Sequence, residues 1–137
     1  MIQIICGEKG KGKTKVMLEK ANEAVTKAEG LVVFLDKNLK HSYELNNSIR
    51  LINVLEYPVT SYEGFIGFIS GLISGNHDIE TVFLDSSMTL SHTDESTLEK
   101  LCYELEKISG ATTFVLSVSL NGSSIPEALK DSVIESL

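Results

Sequence analysis

Residues 2–14, with the sequence IQIICGEKGKGKT, carry the strongest structural pattern in this chain. Ile2 to Cys6 is a short uninterrupted apolar run, which is typical of a strand buried on both faces. Glycines recur from Gly7 to Gly12, and a helical pattern begins at Lys13. One face of that helix is apolar because it carries Val16, Met17, Ala21, Ala24, Val25 and Ala28. The stretch predicts a buried strand, a tight glycine-rich turn and an amphipathic helix in immediate succession.

The alternation of strand and helix patterns continues along the chain. Apolar runs predict further strands at residues 31–35, 49–55, 81–84 and 112–118, and helical patterns cover 13–29, 60–74, 94–109 and the segment from 124 onward. This alternation predicts an α/β fold, a three-layer sandwich around a mostly parallel sheet of four or five strands. The length of 137 residues predicts a single domain. Loops that follow parallel strands share one sheet edge, where ligands bind in such folds.

Local signals set the expected helix ends. Thr60 with Glu63, and Ser124 with Glu127, form capping-box patterns that open the second and the last helix. Gly30 is the expected C-terminal cap of the first helix. Three glycines of the second helix, spaced to line one face and permit close packing, are Gly64, Gly67 and Gly71.

Composition excludes several classes of protein. Hydrophobic residues make up 42% of the chain and charged residues 23%, as in ordinary globular domains. No apolar run reaches the roughly 18 residues of a membrane span, and the N-terminal order of apolar residues before lysines is the reverse of a signal peptide. Cys6 and Cys102 lack metal-ligand or redox spacing and lie in apolar runs. We therefore expect buried thiols, a cytoplasmic protein and no membrane association.

The charge balance points toward a small anionic ligand. Twelve Lys+Arg stand against 19 Asp+Glu, a formal net charge of −7, which disfavours nonspecific nucleic-acid binding. Four lysines nevertheless fall within seven residues: Lys9, Lys11, Lys13 and Lys15. This local cluster is explained either by a bound anion or by an ordinary solvated charge run.

Residues Gly7 to Thr14, GEKGKGKT, match the phosphate-loop pattern G-x-x-x-x-G-K-[ST] at every position. Glycines let successive backbone N–H groups face inward, and the helix that follows adds its partially positive N-terminus. Lys13 is placed to contact the β- and γ-phosphates, and the Thr14 hydroxyl to bind Mg²⁺. The expected nucleotide-binding residues are Gly7, Glu8, Lys9, Gly10, Lys11, Gly12, Lys13, Thr14 and Lys15.

A second acidic element follows in the chain. Residues 81–85, TVFLD, form an apolar strand that ends in Asp85, the usual form of a Walker B element whose aspartate holds Mg²⁺ directly or through water. An aspartate that only caps a turn is the simpler alternative. The phosphate loop in the same chain favours the metal role, so Thr14 and Asp85 are the expected ligands. Ser86 stands where many ATPases have a glutamate that activates water.

Four segments together resemble P-loop ATPases of the RecA type, over nearly the whole chain. Gly7 to Thr14 resembles the Walker A loop, and Thr81 to Leu90 resembles the Walker B strand and its continuation. Leu31 to Tyr43 resembles the second strand and its loop, and Thr112 to Leu120 resembles the strand that ends in a γ-phosphate sensor. The chain is also similar to small bacterial ATP-binding proteins named after the twitching-motility ATPase.

This resemblance implies ATP and Mg²⁺ as ligands, and a site that is often completed between subunits, by a second copy or a protein partner. It also implies that the strand at 112–118 lies between the first strand and the Walker B strand. The chain departs from the pattern at two positions. Asn38 stands where the recombinase has the glutamate that polarises water, and Ser119 stands where its sensor glutamine lies. The long DNA-binding loops have no counterpart.

Three functional hypotheses follow. The first is a slow ATPase, in which Lys13 contacts phosphate, Asp36 or Asn38 positions water and Ser119 senses the γ-phosphate; a loop-capping role for Asp36 is the alternative. The second is a nucleotide-binding switch or regulatory subunit with little turnover. The third is a small-molecule phosphotransferase. Arg50 is the only arginine, so an arginine finger is Arg50 or comes from a partner. The scattered histidines are expected at the surface: His41, His77 and His92.

Overall fold

The computed structural model describes all 137 residues, arranged as six strands, four α-helices and short 3₁₀ turns. The strands are β1 (Ile2–Cys6), β2 (Leu31–Asp36), β3 (Arg50–Asn53), β4 (Ile79–Leu84), β5 (Thr113–Val118) and β6 (Val133–Ser136). The helices are α1 (Lys13–Lys27), α2 (Tyr62–Gly75), α3 (Ser87–Ser91) and α4 (Leu98–Ser109). The predicted α/β class is confirmed.

A single sheet holds all the strands, in the order β3-β2-β4-β5-β1-β6, and every neighbouring pair is parallel. β5 lies between β1 and β4, the placement that the resemblance implied. The sheet has six strands rather than the expected four or five. Because the strands are parallel, their carboxyl ends meet at one edge, which we call the carboxyl edge.

The sixth strand replaces the helix that the sequence predicted at the C-terminus. Residues Glu127–Ser132 form a 3₁₀ turn, and Val133–Ser136 then pair with β1, with Val133 opposite Ile4. The expected cap at Ser124 and Glu127 is wrong because no α-helix follows it. The β-branched pair Val133 and Ile134 favours an extended backbone, and Val133 packs against the core there.

The first helix ends earlier than its sequence pattern. α1 stops at Lys27, and Ala28 at its end is extended rather than helical, so Gly30 is not the cap. Gly30 is instead required by a close approach, because a Cβ atom at this position would collide with the carbonyl oxygen of Asp78. That contact accompanies the hydrogen bond of 2.8 Å from the Leu31 amide to the same oxygen, where β2 begins beside β4.

Helix α2 begins one residue later than the predicted cap and presents its glycines differently. The N-cap is Ser61, whose hydroxyl oxygen accepts a hydrogen bond of 3.0 Å from the Gly64 amide. Phe65 and Ile69 are the fully buried residues of the helix. The expected close packing at its glycines is wrong, because a Cβ atom at Gly67 or Gly71 would meet no other atom within 4 Å.

The helices after β4 also differ from their sequence pattern. The expected helix over 94–109 begins only at Leu98, because the Asp94 side chain closes a turn by accepting hydrogen bonds from the Thr97 amide and the Ser96 hydroxyl. The short helix α3 directly after β4 has no counterpart in the predicted pattern. It is bounded by Ser86 and His92, which both adopt left-handed backbone conformations with φ of 56° and 57°.

Core packing covers both faces of the sheet. One face carries α1, with Phe34 and Phe83 stacked at 6.1 Å between ring centroids; the other carries α2, α3 and α4 over Phe114. Both cysteines are free and buried, as expected. None of the helices has the length and apolar character that crossing a membrane requires.

Candidate functional site

A cleft of about 470 Å³ opens at the carboxyl edge, between the turn after β1 and the segments after β2, β4 and β5. Only one of its lining residues, Met88, is hydrophobic. The lining residues are Lys9, Gly10, Gly12, Lys13, Thr14, Lys37, Asp85, Ser86, Met88, Thr89, Ser117 and Ser119. The cleft therefore collects residues from four separate parts of the chain, each placed by the end of a parallel strand.

The glycine-rich turn, residues 7–14, forms one wall of the cleft. Gly10 and Gly12 have φ of 87° and 90°, and a Cβ atom at either would meet nothing within 4 Å. Glycine is thus required there by backbone conformation rather than by lack of space. The N–H groups of both residues donate no hydrogen bond to the backbone. Unpaired donors at the start of α1 are suited to bind an anion.

Lys13 lies against its own turn. Its ammonium group donates a hydrogen bond of 3.2 Å to the carbonyl oxygen of Glu8. Burial lowers the pKa of Lys13, and the nearby charge of Asp85 opposes that shift. The Glu8 carboxylate accepts a hydrogen bond of 3.2 Å from Asn121, which ties the turn to the segment after β5.

The acidic centre of the cleft is Asp85, only 3% exposed, directly after β4. The Thr14 hydroxyl donates to its Oδ2 at 2.9 Å, and the Ser117 hydroxyl donates to its Oδ1 at 2.7 Å. The Ser86 amide in turn donates to the Ser117 hydroxyl at 2.8 Å. Both carboxylate oxygens are therefore held, one from the start of α1 and one from β5.

Buried hydroxyls continue away from the cleft into α3. Ser87 donates to the carbonyl oxygen of Ser117 at 2.6 Å, and Ser91 donates to the carbonyl oxygen of Ser87 at 2.7 Å. The left-handed conformation of Ser86 lets the chain turn from β4 into α3 within one residue. These bonds hold α3 on β5, so Met88 and Thr89 form part of the cleft wall.

At the end of β2, Asp36 is 2% exposed and is not among the lining residues. Its Oδ1 accepts a hydrogen bond of 2.7 Å from the Lys37 amide, whereas its Oδ2 has no partner. Burial raises the pKa of Asp36, and the charge of Asp85 raises it further. The Asn38 side chain is held within its loop by the Lys40 amide at 3.1 Å and does not line the cleft either.

The cleft contains part of the residue set expected from the sequence. Lys9, Gly10, Gly12, Lys13, Thr14, Asp85 and Ser119 line it, whereas Gly7, Glu8, Lys11 and Lys15 do not. Gly7 is buried at the base of the turn, where its amide donates to the Val118 carbonyl at 3.2 Å.

Five lining residues were not among the predicted site residues: Lys37, Ser86, Met88, Thr89 and Ser117. Lys37 directly follows a predicted strand end, and Ser117 is a hydroxyl in an otherwise apolar run, so both left a weak signal. Met88 and Thr89 belong to α3, which the pattern did not predict.

The remaining candidates lie elsewhere. Arg50 is exposed at the first residue of β3, opposite Val33 of β2, and does not line the cleft. His77 and His92 are exposed as expected, but His41 is partly buried, with its Nδ1 3.3 Å from a carboxylate oxygen of Glu44. No group of three or more His, Cys, Asp or Glu side chains converges to form a metal site.

A larger groove, of about 650 Å³, lies between α4 and the 3₁₀ turn at Glu127–Ser132. Its lining includes Ile2, at the amino end of β1, together with Glu99 and Glu106. These two carboxylates outnumber the single lining lysine, Lys100, so the groove has an excess of negative charge, and no glycine-rich turn reaches it. The smaller cleft at the carboxyl edge is therefore the better candidate site for a phosphorylated ligand.

Comparison of the chain with protein-family models and with curated proteins finds no match.

Proposed function

We propose that the chain is a P-loop protein that binds ATP with Mg²⁺ in the carboxyl-edge cleft and hydrolyses it slowly. The observation that carries this proposal is the hydrogen bond of 2.9 Å between the Thr14 hydroxyl and Asp85 Oδ2. It joins the last residue of the phosphate-loop pattern to the acid that ends an apolar strand 71 residues later. Two sequence patterns that lie far apart in the chain are thus joined by one hydrogen bond.

The sheet order supports the same proposal. In the RecA-type P-loop topology that we propose for this chain, one strand separates the phosphate-loop strand from the Walker B strand. β5 has this place between β1 and β4. As a result, Ser117 on β5 and Ser119 just after β5 line the cleft, between the glycine-rich turn and Asp85.

The residues of the cleft fit both proposed ligands. Phosphate oxygens would be bound by the unpaired amides of Gly10 and Gly12 and by the ammonium groups of Lys9 and Lys13. Mg²⁺ would be held by Thr14 and Asp85, because it takes one or two protein oxygens and fills its remaining positions with phosphate oxygens and water. Bound Mg²⁺ neutralises charge that develops on the transferring phosphoryl group.

The proposal of slow turnover follows from the positions and hydrogen bonds of the carboxylates in and near the cleft. Asp85 is the only carboxylate that lines the cleft, and both of its oxygens accept hydrogen bonds. Asp36 is buried behind Lys37, and the Asn38 amide is held within its loop. A water molecule at the terminal phosphate would therefore find no free carboxylate in this arrangement.

The same observation favours a second candidate, a switch or regulatory subunit that binds nucleotide without turnover. A second copy of the chain or a protein partner would then supply the missing carboxylate or arginine, since Arg50 does not line the cleft.

Steady-state phosphate release from Mg·ATP tests the proposal, with the wild type compared with Lys13→Ala and with Lys27→Ala. Lys27 lies at the far end of α1 and is exposed, so it is a matched lysine control. We expect turnover that Lys13→Ala abolishes and Lys27→Ala retains. Binding of Mg·ADP without turnover would support the switch instead. Absence of both binding and turnover in the wild type would refute nucleotide binding.

A further inference from the structure

Lys37 lines the cleft from the side opposite the phosphate loop. It directly follows β2, which is separated from β1 by β4 and β5. At a spacing of about 4.8 Å between strands, the ends of β2 and β1 are roughly 14 Å apart. A lysine at the end of β2 therefore faces the loop lysines across the width of the cleft.

A hydrogen bond to the side chain of the preceding residue holds the backbone at Lys37. Its amide donates a hydrogen bond of 2.7 Å to Oδ1 of Asp36, and that carboxylate is buried in the sheet edge. The side chain of Lys37 remains exposed and lines the cleft. Asp36 thus fixes the start of the loop from which the Lys37 ammonium group extends.

Charge in the cleft depends strongly on this residue. Its charged lining residues are Lys9, Lys13 and Lys37 against Asp85 alone, so the lining has an excess of two positive charges. Lys37 is the one cation among them that lies outside the phosphate loop. Removing the charge of Lys37 reduces this excess from two positive charges to one.

We propose that Lys37 binds the terminal phosphate of the bound nucleotide and so selects a nucleoside triphosphate over a diphosphate. The inference deepens the nucleotide-binding function proposed above and rests on it. A triphosphate has one more anionic phosphoryl group than a diphosphate, farther along the chain from the base. The cation at the far side of the cleft contacts that group, whereas the glycine-rich turn holds the phosphates that both nucleotides share.

Calorimetric titration of the Mg²⁺ complexes of ADP and of the β,γ-imido analogue of ATP tests this role at fixed ionic strength. The proteins are the wild type, Lys37→Ala, Lys37→Arg and Lys40→Ala. Lys40 belongs to the same loop and is exposed but does not line the cleft, so its substitution is the matched control. We expect Lys37→Ala to weaken the imido analogue about tenfold, equivalent to about 1.4 kcal/mol, and ADP less than about twofold.

Lys37→Arg is expected to keep the preference for the triphosphate, and Lys40→Ala to change neither affinity. Thermal unfolding of each variant checks that the exposed substitutions leave the fold intact. Equal weakening of both nucleotides, or of neither, by Lys37→Ala would overturn the role of Lys37 while leaving nucleotide binding in place. A wild type that binds neither nucleotide would refute the proposed function together with the inference.

Discussion

The Ser117 hydroxyl donates a hydrogen bond of 2.7 Å to Asp85 Oδ1, and this bond fixes the acid at the centre of the cleft. The two residues are 32 positions apart in the sequence and meet because β5 lies beside β4. With Oδ1 held by Ser117, Oδ2 is directed to Thr14. The geometry of the proposed Mg²⁺ site thus depends on a serine inside a buried strand.

Replacing Ser117 with alanine removes this support. Asp85 Oδ1 and the Ser86 amide both lose their partner, so we expect a stability loss of about 1–3 kcal/mol in urea unfolding. Affinity for Mg·ADP is expected to fall several-fold. Ser91→Ala is the matched control, because it removes a buried hydroxyl that bonds only within the α3 region. Equal effects of the two variants on Mg·ADP affinity would argue against positioning by Ser117.

The Asp85→Asn variant tests the proposed metal role directly. The amide keeps the size of the side chain but loses the charge that attracts Mg²⁺. We expect Mg·ADP affinity to fall more than about tenfold, whereas ADP binding in excess chelator stays equal or improves because a negative charge has left the cleft. Asp131→Asn, on an exposed turn residue, is the control for net charge. If the Mg²⁺ dependence of ADP affinity is the same in Asp85→Asn as in the wild type, Asp85 has only a structural role.

The pKa shift of Asp36 predicts a pH-dependent stability difference. Burial raises the pKa of Asp36 above 3.8, so the folded state holds a proton that the unfolded state releases as the pH rises from about that value. Folding stability conferred by Asp36 is therefore present at low pH and is lost as the pH rises through its folded pKa. Asp36→Asn removes this loss. We expect its stability relative to the wild type, measured by urea unfolding, to be greatest near neutral pH and to decline toward pH 4. A stability difference between Asp36→Asn and the wild type that does not vary with pH would contradict the raised pKa of Asp36.

Two glycine substitutions are expected to have opposite effects. Gly12→Ala forces a side chain into a left-handed conformation at φ 90°, which costs roughly 1–2 kcal/mol and disturbs the glycine-rich turn. Gly71→Ala places a methyl group in open space within α2 and is expected to stabilise the protein by about 0.5–1 kcal/mol. Thermal unfolding and Mg·ADP titration measure both effects. Retained nucleotide binding in Gly12→Ala would show that the loop conformation is dispensable.

The local pattern of residues was sufficient to predict much of the frame. β1, the glycine-rich turn and the start of α1 were predictable because an apolar run, left-handed glycines and an amphipathic period are all encoded within 27 consecutive residues. The position of Asp85 at the end of an apolar strand was predictable, and so was the burial of both cysteines. The predictions were wrong where a local pattern is compatible with two structures. The cap pattern at Ser124 precedes a 3₁₀ turn and an edge strand instead of a helix.

The contacts among these residues depend on the order of the strands in the sheet. The sheet order brings Ser117 and Thr14 to opposite oxygens of Asp85, places Lys37 across the cleft from Lys13, and buries Asp36 beside them. The pattern of residues 7–14 was enough to predict the glycine-rich turn, because the left-handed conformations of Gly10 and Gly12 depend on those residues themselves. The partners of that turn could not be predicted in the same way, because they come from separate strands, and their proximity depends on how the whole sheet buries its apolar faces.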